Sequence, residues 1–344
     1  MRAGIFLAYW PWFSPEEQVS LAQLADELGL DSVWISEAWG QDAVSVLGLL
    51  AGKTERVGLG SGLMQIPARQ PAATAMAAAS LDVLSDGRFR LGLGVSGPQV
   101  SEGWYGVPFR RPLARTREYV EIVRTILRRE EPLEHHGVHY DIPYTGEGAT
   151  GLGKPLKLIV HPPRADVPIY LAAIGPKNVA LAAEIADGWL PIFFSPERFA
   201  ETHAPMLDEG FARRGGRPGG WDLAAHVPVV VTDESDVQAA RDFLKPLLAL
   251  YVGGMGAKGQ NFYTRLAERY GYAEAAATVQ DLYLAGKKNE AIAAVPDALV
   301  DEVALVGGRE RIADRVAAFR DCGVTTLVLQ ARQPEALRLL ADLV

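Results

Sequence analysis

Cysteine is nearly missing from this sequence: Cys322 is the only one in 344 residues. A lone thiol closes no intramolecular disulfide and supplies no thiolate cluster, which excludes a cystine scaffold or a zinc ribbon and fits a reducing cytoplasm. Long apolar runs are missing too. No stretch approaches the length of a membrane span, and the opening MRAGIFLAYWPW has one positive charge and a short apolar run cut by Pro11. Without a small-residue cleavage pattern after it, that segment reads as a first strand and not as a signal peptide. Basic excess is absent as well: 34 Lys and Arg against 42 Asp and Glu leave a formal charge of -8, which argues against nucleic acid as the main partner. Nor is there a G-x-S-x-G elbow to carry a hydrolase serine. The absences leave a cytoplasmic protein that acts on a small molecule, with no nucleic acid and no membrane among its partners.

What is present is alternation. Ala3–Tyr9 has an extended pattern, and Ser14, Pro15 and Glu17 form a capping box with proline at the first helical position. Leu21, Leu24, Ala25 and Leu28 give that helix its apolar face, and Gly29 ends it. Strands follow at 32–36, 56–63, 89–95, 168–173, 188–193, 226–231 and 324–329, with helical patterns between them. Eight strands, each followed by a helix and with no composition shift to mark a linker, predict a closed parallel (β/α)8 TIM barrel over residues 1–344. Two stretches exceed the repeat: a Gly-, Pro- and His-rich excursion with a hairpin at about 130–166, and a helical insertion at about 244–302. Catalytic faces of such barrels lie at the strand C-termini, so both stretches are expected to shape a substrate pocket there.

The third strand poses a problem. In GLGSGLMQIPARQP, Gly58, Gly60 and Gly62 alternate with Leu59, Ser61 and Leu63, so one face of the strand carries no side chains. FRLGLGVSG repeats the device with Gly92, Gly94 and Ser96. Bare faces mark a close approach, by another element or by a ligand, and the pattern alone does not choose between them.

Other motifs are weaker. GLGVSG at 92–97 matches the dinucleotide fingerprint, but Pro98 and a loop follow where a helix should begin. His135, His136 and His139 read as a solvated hairpin turning at Gly137, and no metal site is expected. In IYLAAIGPKNVALAAEIADG a strand turns at Gly175-Pro176 into a helix starting at Lys177 or Asn178, and free amides with a lysine beside them suit phosphate. Trp10, Trp12, Phe13, Trp39, Trp104 and Tyr105 all lie where a strand hands over to its loop. In a barrel they gather on one face, where Trp10, Trp12, Trp39 and Trp104 are candidates to line a substrate pocket.

Taken together, GSGLMQIPARQP, SLDVLSDGRFRLGLGVSG and PIYLAAIGPKNVALAAEIADGWLP resemble the luciferase-like superfamily, over nearly the whole chain. Within it they are similar to the deazaflavin (coenzyme F420)-dependent oxidoreductases related to methylenetetrahydromethanopterin reductase. The resemblance implies hydride transfer between the deazaflavin C5 and a small organic substrate, in a homodimer. It leaves FMN as the alternative cofactor, with an FMN-dependent monooxygenase or a cofactor-binding protein without turnover as alternative functions. It also implies a bulge with a non-proline cis peptide behind the tricyclic ring, at Ser61-Gly62 or Gly62-Leu63, which makes Ser61, Gly62, Leu63 and Met64 cofactor residues. The family's phosphate site matches Gly175, Pro176, Lys177 and Asn178, and its fourth-strand contact matches Ser96 and Gly97. Glu37 stands where an acidic residue touches the ring, so it is expected to accept from the deazaflavin hydroxyl and disfavour FMN. The catalytic histidine and glutamate of the sugar-phosphate dehydrogenase branch correspond to Ala38 and Gly97 here, so that acid–base pair is absent and the catalytic residues stay unassigned.

Overall fold

The computed structural model describes residues 1–9 and 12–344. Its barrel strands are β1 (Arg2–Leu7), β2 (Ser32–Ile35), β3 (Gly58–Ser61), β4 (Phe89–Gly94), β5 (Ile169–Leu171), β6 (Gly188–Trp189), β7 (Asp222–Val231) and β8 (Thr326–Gln330). Each pairs in parallel with the next, and β8 pairs with β1, so the sheet closes. All eight expected strands are present; β7 begins four residues earlier than its apolar run, at Asp222. The first helix, Pro15–Glu27, has its capping box: Ser14 Oγ accepts from the Glu17 amide and the Glu17 carboxylate accepts from the Ser14 amide. No helix among the described residues is long and apolar enough to cross a membrane.

The bare glycine faces point into the barrel, and the chain's own side chains fill most of that space. Trp34, Tyr170, Ala224 and Val328 form a separate apolar cluster with Phe6 and Leu190 packed against it. A Cβ on Gly60 would lie 2.6 Å from Trp34 Cδ2, inside the fully buried indole. Gly58 faces the Arg90 guanidinium, and a Cβ on Gly62 would lie 2.9 Å from Phe6 Cε2. The alternating glycines therefore make room for Arg90, Trp34 and Phe6 in turn, since interiors leave few voids larger than a water molecule.

Topology starts the two long insertions at opposite ends. The 130–166 excursion follows a helix, Pro112–Arg128, and so emerges at the strand N-terminal end. Its hairpin (His135–His136 with Asp141–Ile142) is held by Glu118, which accepts from the amides of Val138, His139 and Tyr140. Arg164 then reaches the buried Asp82 and the Phe89 carbonyl at the start of β4. The excursion starts at the strand N-terminal end, but its hairpin packs back along the first half of the helix, where Arg110, Arg111 and Arg115 act on His139. The second insertion follows β7 and roofs the strand C-termini. Its core begins with the helix Val237–Ala249, at Val237 and so earlier than the expected 244, and takes in Ile174, Ile192 and Phe193 from the strand ends. A short strand, Leu305–Gly307, pairs outside β7 and was not foreseen.

Two buried histidines make stability depend on pH. Desolvation pushes His226 down to about 4, where it stacks on Phe6 at 4.0 Å, and pushes His203 down to about 3, against Phe194 and Trp189. Folded, both stay neutral; unfolded, both take up a proton below about 6.5, so stability falls as pH drops from there toward 4. Each should remove about 2 kcal/mol between pH 6.5 and 5. Urea midpoints across that range should fall steeply for the parent and roughly half as steeply for His203→Phe; parallel slopes would contradict the assignment.

Candidate functional site

The two ends of the barrel differ. A hollow at the strand N-termini, about 520 Å³, is lined by Asp31, Arg56, Gly58, Arg88, Arg90 and Arg164 among others. Its arginines are committed: Arg90 to Asp31, Arg164 to Asp82, and Arg88 to the carbonyls of Ala51, Thr54, Val57 and Ser85. It is a tie between loops. Chemistry-bearing groups gather at the other end.

There β3 passes through Ser61 into Gly62-Leu63, whose peptide bond is cis, one of the two positions the resemblance allowed. The Gly62 amide donates to the Ile35 carbonyl at 2.7 Å, and Met64–Gln65 rejoin the sheet beside Leu93 and Gly94. Gly62 and Leu63 remain partly accessible. The neighbouring side chains do not. Ser61 is fully buried, its Oγ donating to the Gly92 carbonyl and accepting from the Gly92 amide, both at 2.9 Å. Met64 is buried in the outer core. As cofactor contacts these two side chains are corrected: one is a latch between β3 and β4, the other is core packing, and any contact there falls to backbone.

Glu37, after β2, is corrected more substantially. Arg69 grips it with two guanidinium bonds of 2.7 and 2.9 Å, and the amides of Ala43 and Gln65 donate to it at 3.1 and 3.3 Å. With four donors already in place the carboxylate would not be left unpaired by a methyl-bearing ring, so it gives no reason to prefer a deazaflavin to FMN. Arg69 also bonds Asp42. Beside this knot the buried Gln65 carries a second link: its Nε2 donates to Ser96 Oγ and its Oε1 accepts from the Tyr105 hydroxyl, both at 2.6 Å. Ser96 sits at φ 58°, and Gly97 caps a six-residue helix, Pro98–Gly103. A helix does begin after GLGVSG, contrary to expectation, but it leaves a closed barrel, not a dinucleotide-binding sheet.

The helix expected after β5 starts one residue early, at Pro176, and runs to Ile185. Gly175 is its N-cap with no side-chain cap bond, and Pro176 and Lys177 are exposed, with Asn178 half-buried. An N-terminus of this kind attracts anions through unpaired amides and the helix dipole. Sequence reasoning missed its neighbour. Arg269, on the insertion helix Phe262–Arg269, donates to the Ile174 carbonyl at 3.0 Å and makes no ion pair with a carboxylate among the described residues. Burial lowers its pKa, with Tyr270 and Glu268 opposing the shift.

Trp12, Trp39 and Trp104 are each about half exposed or more, at 54%, 51% and 64%, on the loops after β1, β2 and β4. They ring the mouth. Trp10 lies outside the described residues. Tyr251 and Tyr263 of the insertion, which no sequence motif singled out, join Phe193 in an aromatic cluster at the same end.

Comparison with known proteins agrees with this geometry. The chain is 50% identical over 346 aligned positions, 100% of its own length and 99% of the relative's, to a Mycobacterium tuberculosis protein whose provisional name is coenzyme F420-dependent oxidoreductase. It is 29% identical to the 5,10-methylenetetrahydromethanopterin reductase of Archaeoglobus fulgidus, covering 89% of this chain and 86% of that one. The solved coenzyme F420-dependent tetrahydromethanopterin reductase of Methanopyrus kandleri superimposes with a TM-score of 0.79 at 25% identity, over 100% of this chain and 98% of that one. The sequence model for luciferase-like monooxygenases matches residues 1–326, and the chain belongs to that family.

Proposed function

We propose that this protein is a coenzyme F420-dependent oxidoreductase that transfers a hydride to or from a small organic substrate. The observation that carries the reading is end-to-end likeness, at half the residues, to a relative so named. The residues present fit the cofactor. The amides at Lys177 and Asn178, the Lys177 ammonium and the Arg269 guanidinium would hold its phosphate and acidic tail, and the Gly62-Leu63 backbone would back its ring. Bound there, the deazaflavin supplies a two-electron carrier whose hydride leaves or arrives at C5.

What the chain itself contributes is placement. The Glu37–Arg69 pair fixes the Gln65 amide, and Gln65 fixes Ser96 and Tyr105, so the β3 and β4 exits are held in one position relative to each other. The insertion roofs the site, and orientation of reactants alone can account for much of a rate enhancement. No buried acid–base pair like that of the sugar-phosphate enzymes is needed for hydride transfer itself.

The test is a pair of fluorescence titrations, oxidised F420 and FMN, against the parent and Arg269→Met. F420 should bind the parent more tightly than FMN, and Arg269→Met should weaken F420 about tenfold, the usual scale for losing one charge-assisted contact. Tighter binding of FMN would replace the deazaflavin by FMN on the same fold.

A further inference from the structure

Two tyrosine hydroxyls at the barrel mouth make no hydrogen bond among the described residues. Tyr251 lies in a π-helical turn, Leu250–Gly254, and Tyr263 on the helix Phe262–Arg269; their ring centroids are 4.7 Å apart. Phe193, at φ 53° after β6, packs edge-on against both, at 5.2 and 6.2 Å. Tyr9, after β1, is close enough to act on Tyr251; it also packs on Trp12 at 5.0 Å, and it covers Gly40 in the loop after β2. The cluster therefore joins three strand ends to the roof.

Both rings are partly accessible although surrounded by protein, the condition of a side chain lining a cleft. Neither hydroxyl makes a hydrogen bond among the described residues, whereas Tyr170 bonds Asp222 and Tyr270 bonds the Phe193 carbonyl. Nor is either one sealed inside the protein, so each is open to donate to whatever occupies the mouth. Burial pushes Tyr251 up to about 12 and raises Tyr263 as well, so each stays neutral and is a donor. No Lys, Arg, Asp or Glu acts on either phenol, and no cation sits over either ring. A cleft of neutral donors and aromatic walls suits an uncharged acceptor and gives an anion no counter-charge.

We propose that Tyr251 and Tyr263 together donate hydrogen bonds to the carbonyl oxygen of an uncharged, mostly apolar substrate, a ketone, aldehyde or enone, and so set the substrate class. The assignment rests on the oxidoreductase reading above, but it is tested separately. The probe is 4-(dimethylamino)cinnamaldehyde, whose visible absorption moves to longer wavelength when its carbonyl oxygen accepts strong hydrogen bonds. Difference spectra are taken with and without oxidised F420, on the parent, Tyr251→Phe, Tyr263→Phe and the double variant. A saturable red shift in the parent, reduced in each single variant and lost in the double with at least tenfold weaker binding, is expected, at unchanged thermal midpoints because both rings remain. No red shift in the parent, or a full shift in the double variant, overturns the proposal. Failure of the cofactor reading would show in the F420 titration and would leave the dye shift standing.

Discussion

Gly60→Val should cost about 3 kcal/mol or more, enough to bring the thermal midpoint down by about 4 degrees or more. The valine Cβ would fall within the Trp34 indole, 2.6 Å from Cδ2, before its methyls are counted. Trp34 has nowhere to go. It is fully buried, its Nε1 donates to Ser32 Oγ at 2.9 Å, and Tyr170 closes its other side at 5.0 Å edge-on. Overpacking is ordinarily relieved by a flexible side chain, and a rigid bicyclic ring offers none. Trp34→Leu in the Gly60→Val background should recover part of the loss, because it empties the volume the valine needs. Gly97→Ala is the control: its Cβ meets only the flexible end of Gln99, at 3.2 Å, and should change the midpoint little. A Gly60→Val protein as stable as the parent would show that the indole is not what fills the bare face. Gly62 is intermediate between these cases, since a Cβ there meets Phe6 as well as the mouth, so valine at 62 should cost stability along with any cofactor affinity.

Arg69→Met is expected to cost about 3 to 5 kcal/mol, the range for removing one partner of a buried pair. The Glu37 side chain is 4% exposed, and without the guanidinium its charge would rest on two backbone amides alone. The expense lies in the orphaned carboxylate, so Glu37→Gln in the Arg69→Met background should restore most of the stability. Urea denaturation of the four proteins in that cycle decides it. An additive cycle would mean that the two side chains do not stabilise each other. The same cycle bears on the cofactor: if Glu37→Gln alters the ratio of F420 to FMN affinity at unchanged stability, Glu37 reads the ring after all, and its pairing with Arg69 is secondary.

The fold could be read from the chain because its signals are local. Strand alternation repeats every two residues, and the Ser14–Glu17 capping box and the Gly175-Pro176 helix start act within one turn. The position of the cis peptide and the anion-suited helix start came with the resemblance and the local pattern, and the structure has both. The side-chain roles were not readable in the same way. Ser61 and Gly92 are 31 residues apart, Glu37 and Arg69 are 32 apart, and Ile174 and Arg269 are 95 apart. Whether such pairs meet depends on strand register and barrel closure, which no window of sequence contains.

The sequence by itself determined that eight strands and eight helices alternate, that two strands carry a bare face, and that a helix begins uncapped after the fifth strand. Only the tertiary structure decided what those features face. Trp34 fills the bare face at Gly60 because the register opposes the two; the hairpin of the 130–166 excursion is held on Glu118 of the preceding helix; and Glu37 is already paired because Arg69 returns beside it. Period and capping are properties of neighbours along the chain, whereas a side chain's partner is a property of how the sheet closes.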